Sequence, residues 1–467
     1  MKTPLCVDLD GTLVRTDTLV ESFLLLIKKN PLYVFLCILW LFRGKAVLKD
    51  EIASRVTLNV ATLPYNEELL SVIREEHAQG RELWLCTAAN IKIAKAVADH
   101  LGIFSRVIAS DKTRNVSSSV KAGEILAFTS AFDYAGNSSD DIKVWHKSSG
   151  AIVVDLPKKL LAKVSAPILH KIDNNTNIEK AWIKEIRIHQ WAKNLLIFVP
   201  LLVAHEIDKS SLFLSTALAV LAFCFCASSV YLLNDLVDLE ADREHKTKRN
   251  RPIASGDITL IHGIIAAVVL IVASVSISIF LPVEFAFALA LYYVITLAYS
   301  FALKRKVVID VATLAILYSM RLIAGATATG IELSNWLISF SMFMFFSLAI
   351  VKRVVELKSA ESDAKIKGRG YYPTDMPLLL ASGVSAGYIS ILVFTLYIDS
   401  YASMQIYDNP NALYLIAPIL FVWLTRVWLI TWRGNMHDDP VAFAIKDRTS
   451  QVMGLIMLAL ITFATGV

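Results

Sequence analysis

Nine long apolar segments follow residue 180 of this 467-residue chain, and they constrain its fold more than any other feature. Each is close to the ~20 residues that a helix needs to cross the hydrocarbon layer of a membrane. The chain is 55% hydrophobic with a mean hydropathy of +0.55, which is too apolar for an ordinary soluble protein. The pattern predicts an all-α membrane domain of nine transmembrane helices over residues 181–467. The approximate extents of the segments are 186–205, 210–233, 258–281, 283–303, 307–329, 333–351, 377–398, 412–431 and 451–467.

The charges of the connecting loops predict the orientation of these segments. The loops after segments two, four, six and eight hold seventeen Lys or Arg residues, whereas those after segments one, three, five and seven hold only Lys209. Basic loops remain on the cytoplasmic side of a membrane. We therefore expect an inner-membrane protein with its N-terminal part in the cytoplasm and its C-terminus outside. The N-terminus shows no signal-peptide pattern, and the five cysteines have neither a metal-ligand spacing nor a disulfide framework.

Residues 1–155 have a different pattern, in which short apolar strands alternate with helical stretches. This alternation predicts a Rossmann-like α/β domain with a parallel sheet, whose ligands bind at the carboxyl edge of the strands. Residues 156–180, which include "LPKK" and "DNNTN", are predicted to be a linker. The predicted strands are "LCVDLD", "ELWLCTA", "SRVIASD", "AFDYAGN" and "AIVVD".

A helical cap is predicted over about residues 19–80, between the first two strands. Residues 19–42 are unusually apolar, but "KKNP" at positions 28–31 divides them. We interpret them as two cap helices that lie on the bilayer surface. A hairpin inserted into the membrane is the alternative.

The stretch "NDLVDLEADREHKTKRNRP", residues 234–252, holds five acids and five Lys or Arg at the end of the second apolar segment. Asn234, Asp238 and Asp242 recur at four-residue intervals. Asp235 precedes Asp238 by three positions, so a helix would align these side chains in one acidic ridge. A solvated loop that follows the positive-inside rule would explain the Lys and Arg residues but not the acids at helical spacing.

Clustered carboxylates repel one another and need cations. Mg²⁺ binds oxygen ligands and is often held by a few carboxylates together with substrate phosphates. The ridge therefore predicts a site for a Mg²⁺-diphosphate, with Asp238 and Asp242 as catalytic residues and Asn234 and Asp235 as further metal ligands. Basic residues that can neutralise the remaining phosphate charge follow directly, and they are Arg243, Lys248, Arg249 and Arg251.

The segment "NDLVDLEAD" resembles the NDxxDxxxD signature of the UbiA superfamily of intramembrane prenyltransferases. That resemblance covers roughly residue 184 to the C-terminus and implies nine transmembrane helices. One branch, the polyprenyl-phosphate phosphoribosyltransferases, is similar in further motifs, which implies phosphoribosyl pyrophosphate as donor and a lipid phosphate as acceptor. These motifs are "HQWAKN", "DREHKTKRNRPIASG", "YSFALK", "KRVVEL" and "DDPVAFAIKDR".

The cations near the other segments favour phosphoribosyl transfer, because that reaction brings a diphosphate, a 5-phosphate and a lipid phosphate together. Arg321, inside the fifth segment, is expected to line the chamber, since a charge at that depth is costly unless it faces a cavity or a partner. The alternative is transfer of a prenyl chain from its diphosphate to an aromatic acceptor. A weak second metal site after the sixth segment, at Glu356, Glu361 and Asp363, also stays open. The other candidate substrate-binding residues are Lys193, Tyr299, Lys304, Arg305, Lys352 and Arg353.

In the first domain, "DLDGT" places Asp8 and Asp10 at the end of a strand. One carboxylate can attack phosphorus while the other acts as general acid and base, with Mg²⁺ neutralising both. The motif resembles motif one of the haloacid dehalogenase superfamily. That resemblance implies that Thr87 binds phosphate, that Lys121 balances charge, and that Asp141 in "YAGNSSDD" is a metal ligand.

Asn137 departs from that family, which normally has an aspartate at this position. Asp140 could compensate for the lost charge, and a degenerate domain that acts as scaffold or regulator is the alternative to a phosphatase. Because the two domains share one chain, the phosphatase is expected to remove the 5-phosphate of the lipid-linked product.

The sequence therefore predicts a Mg²⁺-dependent cell-envelope transferase with a phosphatase domain. Its expected partners are phosphoribosyl pyrophosphate and a polyprenyl phosphate, or a prenyl diphosphate in the alternative. We expect no nucleic-acid partner, and homo-oligomers are compatible with the sequence. A transporter would need internal repeats and interrupted helices, which the sequence does not show. A non-catalytic scaffold is the third class.

Overall fold

The computed structural model describes residues 3–174, 176–359, 369–436 and 439–466. It forms two compact units. The first consists of Met1–Ile186 and Tyr231–Val268, and the second of Arg187–Val230 and Val269–Val467. The charged stretch therefore belongs to the same unit as the N-terminal domain, although it follows the second apolar segment in sequence. We call these the N-terminal unit and the membrane unit.

The N-terminal unit contains a six-stranded parallel sheet with the order β3-β2-β1-β4-β5-β6. From β1 the strand order runs outward to β2 and β3 on one side and to β4, β5 and β6 on the other. The strand order therefore reverses between β1 and β4, and sheets of this kind bind ligands at the carboxyl edge beside such a switch point. All five predicted strands are present. The strands are β1 Leu5–Val7, β2 Leu83–Asn90, β3 Arg106–Ser110, β4 Asp133–Gly136, β5 Gly150–Val154 and β6 Ile168–Ile172.

The predicted linker, residues 156–180, contains the sixth strand and a short helix. β6 pairs with β5, matching Val154 to Ile172. Four of its five residues are exposed, because it is the edge strand of the sheet. The sequence "ILHKI" therefore lacks the buried apolar run that identified the other strands.

Helices pack on both faces of the sheet. Two apolar clusters, one on each side, contain alternating residues of β1: Leu5 and Val7 on one side and Cys6 on the other. The helices of this unit up to residue 185 are α1 Thr18–Lys29, α2 Tyr33–Phe42, α3 Lys45–Ala53, α4 Glu67–Ala78, α5 Ile91–Leu101, α6 Ser118–Leu126, α7 Ile142–Trp145, α8 Lys158–Leu161 and α9 Ile178–Glu185. The short 3₁₀ segments are Val60–Thr62 and Ser139–Asp141.

Seven helices in the described part of the chain are long and apolar enough to cross a membrane. They coincide with predicted segments two to eight. The first and ninth segments form shorter apolar helices, Ile188–Val203 and Arg448–Ala464, so helix length does not confirm the predicted count of nine. The first is irregular as well, because it begins as a 3₁₀ helix over Ile188–Phe198 and has Pro200 in the α-helical turn that follows.

The membrane unit is built around α15 and α16, whose side chains fill its largest apolar cluster together with α17 and α19. Short 3₁₀ segments lie at Lys248–Asn250, Leu303–Arg305, Pro373–Asp375 and Pro410–Leu415. From residue 199 onward the helices are α10 Val199–Val203, α11 Ser210–Val237, α12 Leu239–Glu244, α13 Leu260–Ser278, α14 Val283–Phe301, α15 Ile309–Thr329, α16 Asn335–Lys358, α17 Met376–Ile398, α18 Tyr401–Ile406, α19 Ile416–Trp432, α20 Pro440–Lys446 and α21 Arg448–Ala464.

Candidate active sites

A buried network of charged groups lies at the carboxyl edge of β1 and β4. The Lys121 ammonium donates to Asp8 at 2.9 Å and to the Tyr134 hydroxyl at 2.6 Å, and it lies 3.5 Å from Asp141. The Tyr134 hydroxyl in turn donates to Asp141 at 2.7 Å. Asp8 is 8% exposed and Lys121 only 3%. The structure thus brings together three residues that the sequence places 113 and 20 positions apart along the chain.

The other oxygen of Asp141 is engaged by its own loop. It accepts hydrogen bonds from the backbone N–H groups of Asn137 and Ser138 and from the Ser138 hydroxyl. Both carboxylate oxygens of Asp141 therefore have protein donors. This arrangement favours a role in holding Lys121 and the loop after β4 over the predicted role as a metal ligand.

Asp10 and Asn137 lie beside this network. Asp10 accepts a hydrogen bond from the Thr18 N–H at 2.8 Å, at the start of α1. Asn137 accepts one from the Thr12 hydroxyl at 3.2 Å. Its amide also lies against Gly11, where an added Cβ would come within 2.2 Å of the Asn137 nitrogen. The loop "DLDGT" and the loop after β4 therefore converge, and Gly11 is required both by that approach and by its φ of +74°.

Burial shifts the protonation of this site. Burial raises the pKa of Asp8 to about 6, although Lys121 opposes that shift. Burial and, next, the neighbouring Asp17 raise the pKa of Asp10 to about 7. Burial disfavours the charge of Lys121, but Asp8 and Asp141 outweigh it, so the pKa of Lys121 is raised. Two carboxyls with pKa values near neutrality are typical of sites that transfer protons.

The predicted phosphate-binding hydroxyl, Thr87, lies on β2, next to β1 at the same sheet edge. It is fully buried, and its oxygen accepts a hydrogen bond from the Ala89 N–H at 3.0 Å. The cap contributes a residue that the sequence did not single out. Lys49 of α3 donates to the Ala88 carbonyl at 2.6 Å and to Asn115 at 2.7 Å, which brings a cation from the cap to the end of β2.

The acidic ridge begins in the last turns of α11 and continues into α12. Hydrogen bonds from the Asp238 N–H to the Asn234 carbonyl, at 2.9 Å, and from the Asp242 N–H to the Asp238 carbonyl, at 2.8 Å, connect the two helices. The backbone bends at Asp238, whose φ and ψ are −97° and 15°. Asp235 and Asp242 are each 3% exposed, whereas Asp238 is half-buried.

One arginine joins two of these aspartates. The same terminal nitrogen of Arg251, Nη1, lies 2.8 Å from Asp235 and 2.5 Å from Asp242. Asp235 and Asp242, two of the four residues of the predicted ridge, therefore converge. Burial raises the pKa of Asp242, and Arg251 opposes the shift. Arg251 acts as the cation that the clustered carboxylates require.

Three ion pairs connect the beginning of the chain to residues 238–257, and two of them reach the charged stretch itself. Glu21 of α1 pairs with Arg243 through both guanidinium nitrogens, at 2.5 and 3.2 Å, and both side chains are nearly fully buried. Lys28 lies 3.5 Å from Asp238, at the other end of α1. The third pair joins Arg15 to Asp257 at 2.8 Å. Arg243 also donates a hydrogen bond to the Ala254 carbonyl.

We next consider whether these residues fit the expected Mg²⁺. Within the residues that the structure describes, no three Asp, Glu, His or Cys side chains form a group that could hold a metal ion. A complete protein cage is therefore not formed there. Mg²⁺ commonly uses one or two carboxylates and takes its other ligands from water and substrate phosphates. Asp235, Asp238 and Asp242 carry oxygens of this kind, so by ligand type they fit a Mg²⁺-diphosphate, which would share Asp235 and Asp242 with Arg251 or displace it.

Arg321 is buried at 5% exposure in α15 of the membrane unit. Its guanidinium donates to Asn194 at 2.9 Å, to the Leu317 carbonyl at 2.5 Å and to the Tyr292 hydroxyl at 3.2 Å. The costly charge is therefore compensated by neutral acceptors. Asn194 and Tyr292 were not identified from the sequence, because single polar residues in apolar helices give no periodic signal.

Lys193, predicted to bind substrate, forms an ion pair with Asp439 of the "DDPVAF" motif. Its ammonium lies 5.9 Å from the ring centre of Tyr318, which also stacks with Arg321 at 5.5 Å. Lys193, Arg321 and Asp439 thus belong to one polar region of the membrane unit. Asp439 is a further residue that the sequence analysis did not assign.

Arg353 is fully buried and engaged by acids. It lies 2.8 Å from Asp310 and pairs with Glu356, while Tyr371 donates to Asp310 at 2.7 Å. This geometry favours a structural role for Arg353 over the predicted substrate contact. Arg369 donates to the Tyr299 hydroxyl at 3.0 Å.

The remaining predicted residues differ in exposure. Lys248 and Arg249 are exposed in the 3₁₀ turn after α12, Arg305 is exposed after α14, and Lys304 and Lys352 are half-buried. Glu361 and Asp363 lie outside the described residues.

Comparison with known proteins gives consistent matches. The model of the UbiA prenyltransferase family matches residues 195–450. The uncharacterized protein y4nM of Sinorhizobium fredii is 37% identical over 471 residues, covering 99% of this chain and 91% of that protein. Decaprenyl-phosphate phosphoribosyltransferase of Mycolicibacterium smegmatis is 32% identical over 287 residues, or 60% of this chain and 90% of that enzyme. A solved UbiA homolog from Archaeoglobus fulgidus, bound to DMAPP and Mg²⁺, aligns with 62% of this chain and 99% of its own, at 16% identity and a TM-score of 0.47.

Proposed function

The chain belongs to the UbiA prenyltransferase family, and from this premise we propose that it is a Mg²⁺-dependent transferase in the inner membrane. It moves a phosphoribosyl group from phosphoribosyl pyrophosphate to a polyprenyl phosphate. The observation that carries the proposal is the convergence of Asp235 and Asp242 on Arg251, beside two exposed cations, Lys248 and Arg249. A similar enzyme named decaprenyl-phosphate phosphoribosyltransferase, at 32% identity, supports the choice of transferred group and acceptor.

The residues of the charged stretch have separate tasks in this reaction. Asn234, Asp235, Asp238 and Asp242 would hold Mg²⁺, which would supply positive charge to neutralise the departing pyrophosphate. Arg251 keeps two of these carboxylates together and neutralises them. Lys248 and Arg249 are exposed and can approach the donor's remaining phosphate charge. The lipid phosphate is already anionic at neutral pH, so the ribose carbon is attacked without a strong general base.

We also propose that the N-terminal unit is a phosphatase of the haloacid dehalogenase type. Asp8 is the nucleophile and Asp10 the general acid and base, because both carboxyls lie at the carboxyl edge of the sheet and burial raises the pKa of Asp10 to about 7, which suits proton transfer. Lys121 holds Asp8 in place. Mg²⁺ would be held by Asp8 and Asp10, with Asn137 beside them. Its substrate is the 5-phosphate of the ribose that the proposed transferase reaction attaches to lipid.

The transferase proposal is tested with the full chain in proteoliposomes. Labelled phosphoribosyl pyrophosphate is supplied with a polyprenyl phosphate, and labelled prenyl diphosphate is supplied with an aromatic acceptor in a parallel reaction. We expect label in lipid only from the first pair, and only with Mg²⁺. Transfer from the prenyl diphosphate instead would establish the alternative, prenylation of an aromatic ring.

A further inference from the structure

Helix α2 has a broad exposed apolar face. Only Cys37 and Trp40 are buried, and they pack in a small cluster with α1 and α3. The exposed side chains reach 66% exposure at Phe35 and 85% at Phe42. A contiguous apolar surface of this kind is unfavourable in water and marks an interaction site. The exposed residues of the helix and its flank are Leu32, Phe35, Leu36, Ile38, Leu39, Leu41 and Phe42.

The position of α1 indicates what covers this face. The Lys28 ammonium at the end of α1 donates to the Val237 carbonyl at 2.8 Å. Leu24 and Leu25 of the same helix line a crevice with Leu236 and Leu239. Val237 is the last residue of α11, a helix that is long and apolar enough to cross a membrane. The end of α1 therefore lies where that helix ends, and α2 follows after only three residues.

The length of α2 decides between crossing and lying on the membrane. Ten residues of helix extend about 15 Å, whereas the hydrocarbon layer is about 30 Å thick. An inserted hairpin that crosses the membrane is therefore excluded for this helix. A helix can lie along the boundary between headgroups and acyl chains when one apolar face meets the chains and its other side is covered. In α2 the covered side consists of Cys37 and Trp40, which pack against α1 and α3.

The charges around α2 match an anionic lipid surface. Between Glu21 and Asp50 the chain has five basic residues and no acidic residue. Lys28 and Lys29 precede the helix, and Arg43 and Lys45 follow it. Cations that flank an apolar helix stabilise its binding to anionic headgroups.

We propose that the exposed face of α2 is seated in the cytoplasmic surface of the lipid bilayer, with Phe35, Leu39 and Phe42 among the acyl chains. The helix is thus a second, shallow membrane attachment that holds the N-terminal unit, and with it the charged stretch, at the membrane surface. This inference does not depend on which substrates the protein uses.

The test measures the environment of single spin labels in the full chain. Leu39→Cys and Phe42→Cys are labelled in liposomes that contain anionic lipid, and the parent chain, whose five cysteines are all buried, gives the baseline. Glu75→Cys, on the exposed side of α4, is the matched control. Oxygen concentrates in the acyl region, whereas a water-soluble nickel chelate stays in the aqueous phase. We expect the ratio of oxygen to nickel collision rates to be at least about tenfold higher at residues 39 and 42 than at residue 75.

Two results would overturn the proposal. Nickel access at residues 39 and 42 equal to that at residue 75 would place α2 in water. Protection of both labels from both reagents would show that protein, such as a second copy of this chain, covers the face. The charge argument is checked with Arg43→Glu combined with Lys45→Glu, which should lower the collision ratio at Phe42→Cys. An unchanged collision ratio would show that these two basic residues do not bind the helix to anionic headgroups.

Discussion

The two acidic sites of the N-terminal unit differ in how their carboxylates are compensated. At the edge of the sheet, Asp8 is held by Lys121, a cation that is 3% exposed and lies on a helix packed against the sheet. In the charged stretch, Asp235 and Asp242 are held by Arg251, whose side chain is 27% exposed and lies on a loop. A buried lysine is a permanent part of its site. In the proposed reaction, we infer that this loop arginine moves when a divalent ion and a diphosphate bind, so that the second site exchanges its counter-charge.

The two sites are also connected through α1. Asp10 accepts a hydrogen bond at the first residue of that helix, and Glu21, one turn later, pairs with Arg243 of the charged stretch. The helix therefore extends from one site to the other. The Glu21–Arg243 pair is nearly fully buried, so both partners lose their hydration and depend on each other for compensation.

The largest expected effect is a loss of phosphoribosyl transfer, without loss of phosphate-ester hydrolysis, when the charged stretch is mutated. Asp238→Asn should lower phosphoribosyl transfer about 100- to 1,000-fold, because it removes a carboxylate from the predicted diphosphate site. Hydrolysis of a small phosphate ester by the N-terminal site should not change. Both rates are measured on the same proteoliposomes, with Asp208→Asn in an exposed loop as control. Full transfer activity in the Asp238 variant would show that Asp238 is not needed for phosphoribosyl transfer, which would contradict the proposed role of the charged stretch.

The connection through α1 is tested with Glu21→Gln. The substitution leaves the buried Arg243 without its charged partner, which should reduce the free energy of unfolding by about 3–5 kcal/mol. Thermal unfolding of the full chain measures the loss, and Glu75→Gln on exposed α4 is the control. Glu21→Gln combined with Arg243→Gln should recover part of the stability. Additive losses in the double variant would show that the pair is not coupled.

The variant Arg251→Gln tests whether Mg²⁺ can replace Arg251 as the cation beside Asp235 and Asp242. Without Mg²⁺ the variant should unfold at a lower temperature than the parent chain, because Asp235 and Asp242 lose their cation. Adding Mg²⁺ should raise its Tm by about 2–4 °C more than that of the parent, which corresponds to about 1 kcal/mol in a domain of roughly this size. Arg433→Gln, at an exposed position, is the control. Equal responses to Mg²⁺ in both chains would contradict the exchange.

The smallest expected effect concerns Asn137. Asn137→Asp restores a carboxylate beside Asp8 and Asp10, so hydrolysis of a phosphate ester should rise about three- to tenfold at limiting Mg²⁺. Without Mg²⁺ the added charge should lower the rate instead, because it repels the substrate phosphate. A rate that does not respond to the substitution at any Mg²⁺ concentration would indicate that this loop takes no part in catalysis.

The sequence predicted the features that depend on regular patterns. Five strands followed from short apolar runs, and seven long helices followed from apolar length. The acidic ridge was predicted from its spacing along one helix, and the structure brings two of its four members, Asp235 and Asp242, together on Arg251. β6 was missed because an exposed edge strand has no apolar run. The irregular first segment was predicted as an ordinary span because apolar length alone does not reveal a 3₁₀ helix.

Pairings between distant residues were the part that the sequence did not provide. Glu21 is an ordinary acid in a helix until the fold places it against Arg243, 222 positions later. Asn194, Tyr292 and Asp439 are likewise single polar residues whose partners depend on how helices pack. Arg353 was predicted to bind substrate from its place at a helix end, but Asp310 and Glu356 surround it in the folded chain.

The central claim is that the two sites act in sequence on one lipid, and the mass of the lipid product tests it most directly. The full chain and its Asp8→Asn variant are each incubated with phosphoribosyl pyrophosphate, a polyprenyl phosphate and Mg²⁺. The masses of the extracted lipids are then measured by mass spectrometry. We predict that the variant accumulates the phosphoribosyl lipid, whereas the parent chain yields the same lipid lacking one phosphate. Identical products from both chains, or no ribose on the lipid from either, would contradict the account.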